Sequence, residues 1–406
     1  MKKSALWLSH FVPYPPKGGC FQRSYNLIRQ VAKEFDVHLL AVKHKATTHS
    51  HKEIEGARSA LEDICASVTI VDISTRTSGF PLLFSVLVSF FRKTSLTVSL
   101  YNNPEIRRAL NSITSQCDFD IVHFDSISFA GYSNTFPQST KILNHHGAEA
   151  YMMRRRIRNE RNLLKKAYFF FESKKLDHDE KESLEKFVSN IVVSELDRDI
   201  LFQHSPKARY TIIENGVDTE FFDIDHPTKH SNRIIFVGSL DNYSNRDAVL
   251  WFCRKVWPLL KTRFPRLRFD IVGGSPPSEL LGLSKQDPSI SVHGYVDDVR
   301  ELFRIADASI VPIRDGGGTR IKVLDAFSMR TPLIATSIGT EGLQVIPDED
   351  FLLANTPAEF VDKTRELYAE PDRIENMVRN ARKKVEQMYS WDVIGRKLNE
   401  LYKAVT

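Results

Sequence analysis

The sequence predicts an α/β fold built as two parallel-sheet domains, and three observations carry that prediction. Short apolar strands alternate with helical segments from one end of the chain to the other, the pattern of β/α architectures. The alternation stops once, at a polar, proline-containing stretch over 223–232, and then restarts. Glycine-bearing loops follow several of the strands, where open parallel sheets place their ligands.

In the first series the strands are expected at 5–9, 37–42, 68–71, 121–124, 142–144 and 191–193; in the second, at 234–237, 269–272, 290–292, 308–311 and 333–335. The expected organisation is a first domain over 1–223, a linker over 224–232, a second domain over 233–385 and a C-terminal helix over 386–406. Two such domains facing one another would create one cleft at the carboxyl ends of their strands.

At 406 residues, with 42% hydrophobic and 26% charged residues, the chain can fill two cores. A net charge of +5 is too thin for a nucleic-acid surface, so nucleic acid is not expected as a partner. Cys20, Cys65, Cys117 and Cys253 are scattered and form no C-x-x-C pair, which points away from zinc and disulfides and towards a reducing cytoplasm. The N-terminal lysines precede an apolar run that is too short for a signal peptide and ends in prolines, so it reads as a first strand. The run FPLLFSVLVSFF over 80–91 falls short of the roughly twenty residues of a spanning helix. It reads either as a buried helix or as one that dips into a membrane surface. The stretch 152–186 reads as a long helical stretch whose first half carries Arg154, Arg155, Arg156, Arg158, Arg161, Lys165 and Lys166. That run is either a solvated face or a contact for anionic lipid.

The segment VPIRDGGGTRIKVLDAFSMRTPLIATSIGTEGL over 311–343 carries the most chemistry. A strand runs into Gly316, Gly317 and Gly318, followed by Thr319 and a helix with Arg320 and Lys322 near its start and Asp325 within it. Glycines let backbone N–H groups approach a ligand, and the helix start and two cations suit a diphosphate. The competing reading is a plain turn, since GGGTR matches neither the P-loop nor the dinucleotide fingerprint. Cations crowded at a helix start are disfavoured unless an anion sits among them, which favours a nucleotide or nucleotide-sugar. Gly18 and Gly19 open a helix after the first strand, as a substrate loop or a tight turn would. His145, His146 and Glu149 follow the strand at 142–144; a histidine there can bond sugar hydroxyls or developing charge, or can simply lie at the surface. No third ligand stands at helical or hairpin spacing from the two histidines, so no metal site is expected.

These pieces together resemble the retaining glycosyltransferases of family 4, which have the GT-B fold of two facing Rossmann-like domains. The resemblance rests on PYPPKGGCFQRSYNLIRQVA, FDIVHFDS, HHGAE, VVSELDRD, IIENGVDTEFF, IIFVGSLDNYSNRDAVLWF, GYVDDVRELFRIADASIVPI and the GGGTR-to-EGL block. The second half is most similar to a subset carrying GGGTR. The resemblance implies that Asp325 takes the place of the second glutamate of the family's pair and holds the donor ribose. Gly317 occupies the first place, leaving backbone N–H groups of Gly317, Gly318 and Thr319 to contact the donor. Where the family has an arginine and a lysine facing the diphosphate, after Gly238, this chain has Ser239 and Asn245. Arg320 and Lys322 are expected to supply that charge. His146 matches the histidine placed against the donor sugar, with Glu149 beside it. Gly18 and Gly19 match a loop near acceptor and diphosphate, and the segment around Tyr295 matches the one whose backbone reads the base. Arg330 stands where the family commonly has a turn glycine, and the segment from Tyr389 resembles a terminal helix that crosses back to the first domain.

The activity so implied is metal-independent and cofactor-free: retaining transfer from a nucleotide-diphosphate sugar to a saccharide or lipid-linked saccharide acceptor, in cell-surface polysaccharide or glycan biosynthesis. Front-face attack is implied, with the leaving phosphate as base. The expected location is the cytoplasm, peripherally on the inner face of the membrane, with an anionic membrane surface as a further partner. Two alternatives stay open: a non-catalytic nucleotide-sugar-binding GT-B protein, and a GT-B phosphorylase or epimerase.

Overall fold

Strands that are covered by helices on both faces read as continuous apolar runs, and this chain has two sets of them. In the first, β1 (Ser4–Ser9), β2 (Asp36–Lys43), β3 (Ser67–Asp72), β4 (Ile121–Phe124), β5 (Thr140–Asn144), β6 (Ser189–Val192) and β7 (Tyr210–Ile212) form a sheet ordered β3-β2-β1-β4-β5-β6-β7. In the second, β8 (Arg233–Val237), β9 (Arg268–Val272), β10 (Ile290–Gly294), β11 (Ala308–Val311), β12 (Leu333–Ala335) and β13 (Leu352–Leu353) are ordered β10-β9-β8-β11-β12-β13. All the paired strands are parallel. The computed structural model describes residues 2–44, 50–74, 85–86, 88–89, 92–160, 162–225 and 231–406.

The expected α/β fold of two Rossmann-like parallel-sheet domains is therefore present, and every expected strand is a strand. Two strands were not expected. β7 and β13 have three and two residues and sit at sheet edges, too short to register as apolar runs. In each sheet the strand order reverses once, between β1 and β4 and between β8 and β11. Loops diverge at such a reversal, so the carboxyl ends of these four strands are where each unit is built to hold a ligand.

The two compact units are Met1–Glu214 with Ile394–Thr406, and Asn215–Val393. The division falls ahead of the polar stretch 224–232, because the turn after Asn215 belongs to the second unit. Val217 donates its N–H to the Tyr389 carbonyl at 2.8 Å, and Gly216 lies so close to the Trp391 ring that a Cβ would collide with it. Residues 226–230 of the expected linker lie outside the described residues. Helix Trp391–Val405 counts with the first unit from Ile394 on. There Tyr402 hydrogen-bonds the buried His123 at 2.7 Å, Asn399 donates to the Gln30 carbonyl at 3.1 Å, and Lys397 pairs with Glu214 at 2.8 Å.

The long helical stretch 152–186 is built of two helices, Glu149–Asn159 and Leu163–Leu184. Asn162 ends the continuity by accepting the Lys165 N–H on its side chain at 3.1 Å, an N-cap that restarts the helix. The two then pair as a hairpin, with Arg154 on Asp177 at 2.8 Å and the Ala150 N–H on Glu180 at 3.0 Å. Arg330 takes the left-handed conformation, at φ 49°, that a turn glycine adopts easily, and its guanidinium is held by Asp223. Of the apolar run 80–91, residues 85–86 and 88–89 are helical and the others lie outside the described residues. Among the described residues no helix is long and apolar enough to cross a membrane.

Candidate functional site

Each unit gathers chemistry-bearing residues at its strand-order reversal. In the first unit β1 ends at Ser9, and the next residue, His10, lies beside His146 with ring centroids 5.3 Å apart. Gly18, at φ 102°, caps helix Gly19–Val31, a backbone conformation that a side chain would strain. β4 is followed directly by Asp125, which is fully buried. Its carboxylate accepts from Ser24 at 2.5 Å and from the Asn144 amide at 2.7 Å, and lies 3.3 Å from His146 Nε2. His146 also hydrogen-bonds the Asp125 carbonyl at 3.0 Å, and the Cys20 thiol hydrogen-bonds His146.

Burial alone would lower the pKa of His146. The Asp125 carboxylate and then the Cys20 sulfur outweigh it and raise the imidazole to about 10, so the ring is a cation at neutral pH. The same pairing holds Asp125 well below the usual carboxylate range despite its burial. His10 takes the opposite course: burial, with the His146 cation nearby, drops it to about 3 and keeps it neutral. Burial and Glu180 push Glu149, in the first turn of its helix, up to about 7. His145 lies in a different setting, buried with its Nε2 3.4 Å from Asn190. Of the HHGAE histidines, only His146 reaches the Asp125 cluster.

Arg23 completes this network from helix Gly19–Val31. It is 1% exposed and donates to the carbonyls of Ile213 and Glu214 at 2.8 and 2.7 Å and to Asn144 Oδ1 at 3.1 Å. Asn144 thus links Arg23 to Asp125, and Asp125 to His146.

In the second unit, β8 ends beside Gly238 and β11 leads into the glycine loop. Lys322, in the first turn of helix Ile321–Ser328, sends its ammonium back over the Phe236 ring at 4.3 Å and onto Asn245 Oδ1 at 2.7 Å. A Cβ on Gly238 would collide with Lys322 Nζ and Asn245 Nδ2, so glycine there makes room for the cation. Asn245 in turn donates to the Ser239 carbonyl at 2.8 Å. Gly316, at φ 112°, packs against Ser244 and Arg320, and Arg320 donates to the Gly317 carbonyl at 2.6 Å. Thr319 accepts from Asn215, which fixes the loop to the NGVD turn. Burial, with Arg320 close by, pulls Lys322 down to about 7, although Asp325 opposes the shift. Burial raises Asp325 to about 7, and its Oδ1 is buried without a hydrogen-bond partner. Tyr295 is 56% exposed, with its hydroxyl on Asp297 at 3.1 Å.

The second unit therefore brings together Gly238, Ser239, Gly317, Arg320 and Lys322, with Asp325 one turn further along the helix. The first brings Cys20 of the Gly18–Gly19 loop to His146. Asp125, Arg23, His10, Cys20, Ser24, Asn144 and Asn215 were not singled out as site residues from the sequence. Asp125 had a usable signal, since it immediately follows the strand at 121–124. Arg23 had none, because a helical arginine reads as solvated.

Among the described residues, two groups bring three metal-capable side chains together: His10, Asp125 and His146, and Asp177, Glu180 and His204. The partners that sequence spacing did not supply to His146 come from the loops after β1 and β4. In the first group Ser24 and Asn144 already donate to the carboxylate; in the second Arg154 and Lys181 hold Asp177 at 2.8 and 3.1 Å.

Residues 231–370 match the family model described as Glycosyl transferases group 1. A relative, the 44.6 kDa protein in cps region of Klebsiella pneumoniae, is 21% identical over 318 residues, covering 76% of this chain and 77% of its own length. Sucrose-phosphate synthase from Thermosynechococcus elongatus superimposes with a TM-score of 0.73 at 16% identity over 99% of both chains. HepE from Anabaena, solved with UDP, gives 0.69 at 11% identity over 99% of this chain and 100% of its own. At these identities the likeness establishes the fold, which is GT-B.

Proposed function

We propose that this protein is a retaining, metal-independent glycosyltransferase of family 4, in the GGGTR-carrying subset, that moves a sugar from a nucleoside-diphosphate donor to a saccharide or lipid-linked saccharide. The observation that carries the reading is the Lys322–Arg320 cation pair beside Gly238, lying within the segment that matches group 1 glycosyl transferases. Two cations side by side at a helix start repel each other, and a diphosphate between them would remove that repulsion. The second unit then holds the donor. Arg320, Lys322 and the N–H groups of Gly317, Gly318 and Thr319 take the diphosphate, Asp325 the ribose hydroxyls, and the backbone at Tyr295 the base. As the glycosidic bond breaks, negative charge grows on the departing phosphate, and fixed cations stabilise it without reorganising.

In the first unit, His146 serves the sugar side of the reaction as a permanent cation, with Glu149 and the Gly18–Gly19 loop as acceptor contacts. HepE is solved with UDP-glucose as well as UDP, which supports a nucleotide-sugar donor here. The place of the Klebsiella relative in a cps region supports an acceptor from cell-surface polysaccharide assembly, reached from the cytoplasmic side.

The test is a thermal-shift screen against UDP, GDP, ADP, TDP and CMP and their sugar conjugates, without metal, on the wild type and on Asp325→Ala. One nucleoside diphosphate should raise the melting temperature, and the substitution should remove that rise. A folded protein that no nucleotide stabilises would sink the reading in favour of a non-catalytic protein.

Affinity should also depend on pH. The free ammonium of Lys322 titrates near 7, and an adjoining diphosphate would favour its protonated form, so binding takes up a proton. Affinity for the nucleotide should therefore fall above pH 7, approaching about tenfold per pH unit while Lys322 stays protonated in the complex. Lys322→Gln should bind more weakly and lose this decline. A flat profile for the wild type in titration calorimetry would exclude Lys322 as a diphosphate ligand.

A further inference from the structure

We propose that the outer face of helix Leu163–Leu184, with the exposed arginines of the preceding helix, is a docking surface for an anionic lipid bilayer. The proposal is independent of the transfer reaction, since it concerns a different surface and its test does not require turnover.

The helix has an inner face turned to the rest of the first unit and, over its first half, an apolar outer face. Its inner side buries Phe169, Glu172, Ser173, Leu176, Asp179 and Glu180 against the first unit. The outer side carries Leu163, Leu164, Phe170 and Phe171, exposed at 79%, 84%, 48% and 52%. With the exposed Ala167 these fall at helical spacing on one stripe about two turns long, after which Lys174 and His178 continue the exposed face as polar residues. Scattered exposed leucines mean little, but a contiguous stripe ending at a helical hairpin's tip marks an interaction surface.

The charge around the stripe decides what covers it. Between positions 154 and 171 the chain has seven basic residues and one acidic one. Arg156, Arg158, Lys165 and Lys174 are exposed, while Arg154 is half-buried and paired with Asp177. The Arg156 guanidinium lies over the Phe169 ring at 4.4 Å and that of Arg155 over Tyr151 at 5.6 Å, which lays their stems along apolar surface. Exposed leucine and phenylalanine flanked by cations on one side fit an interface where acyl chains lie beneath anionic headgroups. A second copy of this chain would bring the same positive charge and be repelled. On the same helix Lys175 donates to the Ser89 carbonyl at 2.5 Å.

The experiment is co-sedimentation of the full chain with vesicles of phosphatidylglycerol and phosphatidylcholine, and with phosphatidylcholine alone, at low and high salt. The wild type should bind the anionic vesicles and lose binding as salt rises. Leu163→Glu with Leu164→Glu should weaken binding by at least about tenfold, as should Lys165→Glu with Lys166→Glu. These side chains carry little of the core, so circular dichroism should be unchanged. Equal binding by wild type and both variants, or no preference for anionic vesicles, would overturn the proposal. So would a lipid-free dimer of the wild type that the leucine variant abolishes, since the occupant would then be a second copy.

Discussion

Asp125→Asn should remove most of the transfer activity, lowering kcat by about a hundred- to a thousandfold, the range lost when one fixed group that stabilises developing charge is removed. The substitution keeps the side chain's shape and its ability to accept from Asn144 or Ser24, but it removes the carboxylate that holds His146 at a pKa of about 10. Without that charge the buried imidazole should titrate in or below its ordinary range near 6.5 and be largely neutral at physiological pH. On the proposed role, a neutral ring can no longer stabilise negative charge as a cation. Two readouts separate this from misfolding. Imidazole NMR should find His146 titrating near 10 in the wild type and some three units lower in the variant, by the same reference value. The alkaline limb of kcat/KM should move down with it. His146→Ala should cost about as much, and the double variant little more, because the residues act as one unit. An Asp125→Asn enzyme within twofold of wild type would show that the His146 charge has no part in the chemistry.

The same pair sets a stability window. A histidine whose folded pKa is raised contributes stability that is fully present below about 6.5 and fades as pH climbs through 10. A depressed aspartate contributes above its unfolded value near 3.9 and loses that contribution as pH falls towards its folded one. Both are in place only between these limits.

Much of the second unit's candidate site is legible in the sequence because its residues are local. Gly316, Gly317, Gly318, Arg320, Lys322 and Asp325 fall within one strand-loop-helix unit, and a helix start with two cations is an anomaly that spacing alone exposes. Their destination was less legible. Lys322 turns back towards β8 and meets Asn245, a contact between segments far apart in sequence. In the first unit the sequence pointed to His146 but not to what makes it a cation. His10, Cys20, Asp125 and Asn144 come from four separate stretches, brought together where the order of strands reverses. The break at 160–162 was hidden because Asn162 is an ordinary polar residue unless its side chain is seen to cap Lys165. β7 and β13 were hidden because edge strands of two or three residues leave no apolar run.

Arg23→Leu should destabilise the first unit by about 3–5 kcal/mol, the usual cost of removing one partner from a buried charged network. The guanidinium satisfies three acceptors, the carbonyls of Ile213 and Glu214 and Asn144 Oδ1, and no water can replace it at 1% exposure without opening the fold. Its loss also takes away a nearby cation that favours the ionised Asp125, so part of the cost is electrostatic. Burial lowers the guanidinium to about 10, yet it stays charged across the physiological range. Arg23→Lys keeps the charge but places one compact ammonium where a planar fork reached three oxygens, so an intermediate loss of about 1–3 kcal/mol is expected from acceptors left unpaired. Hydrogen exchange measured by mass spectrometry resolves the effect by region. Peptides from β1, β4, β5 and the 210–214 segment should lose protection, while those from β8 to β12 should be unchanged. Protection falling equally in both units would mean that Arg23 supports the whole chain. Protection unchanged in both would mean that the three acceptors find other donors, and that helix Gly19–Val31 is held by its apolar face, Leu27, Ile28 and Val31, without its arginine.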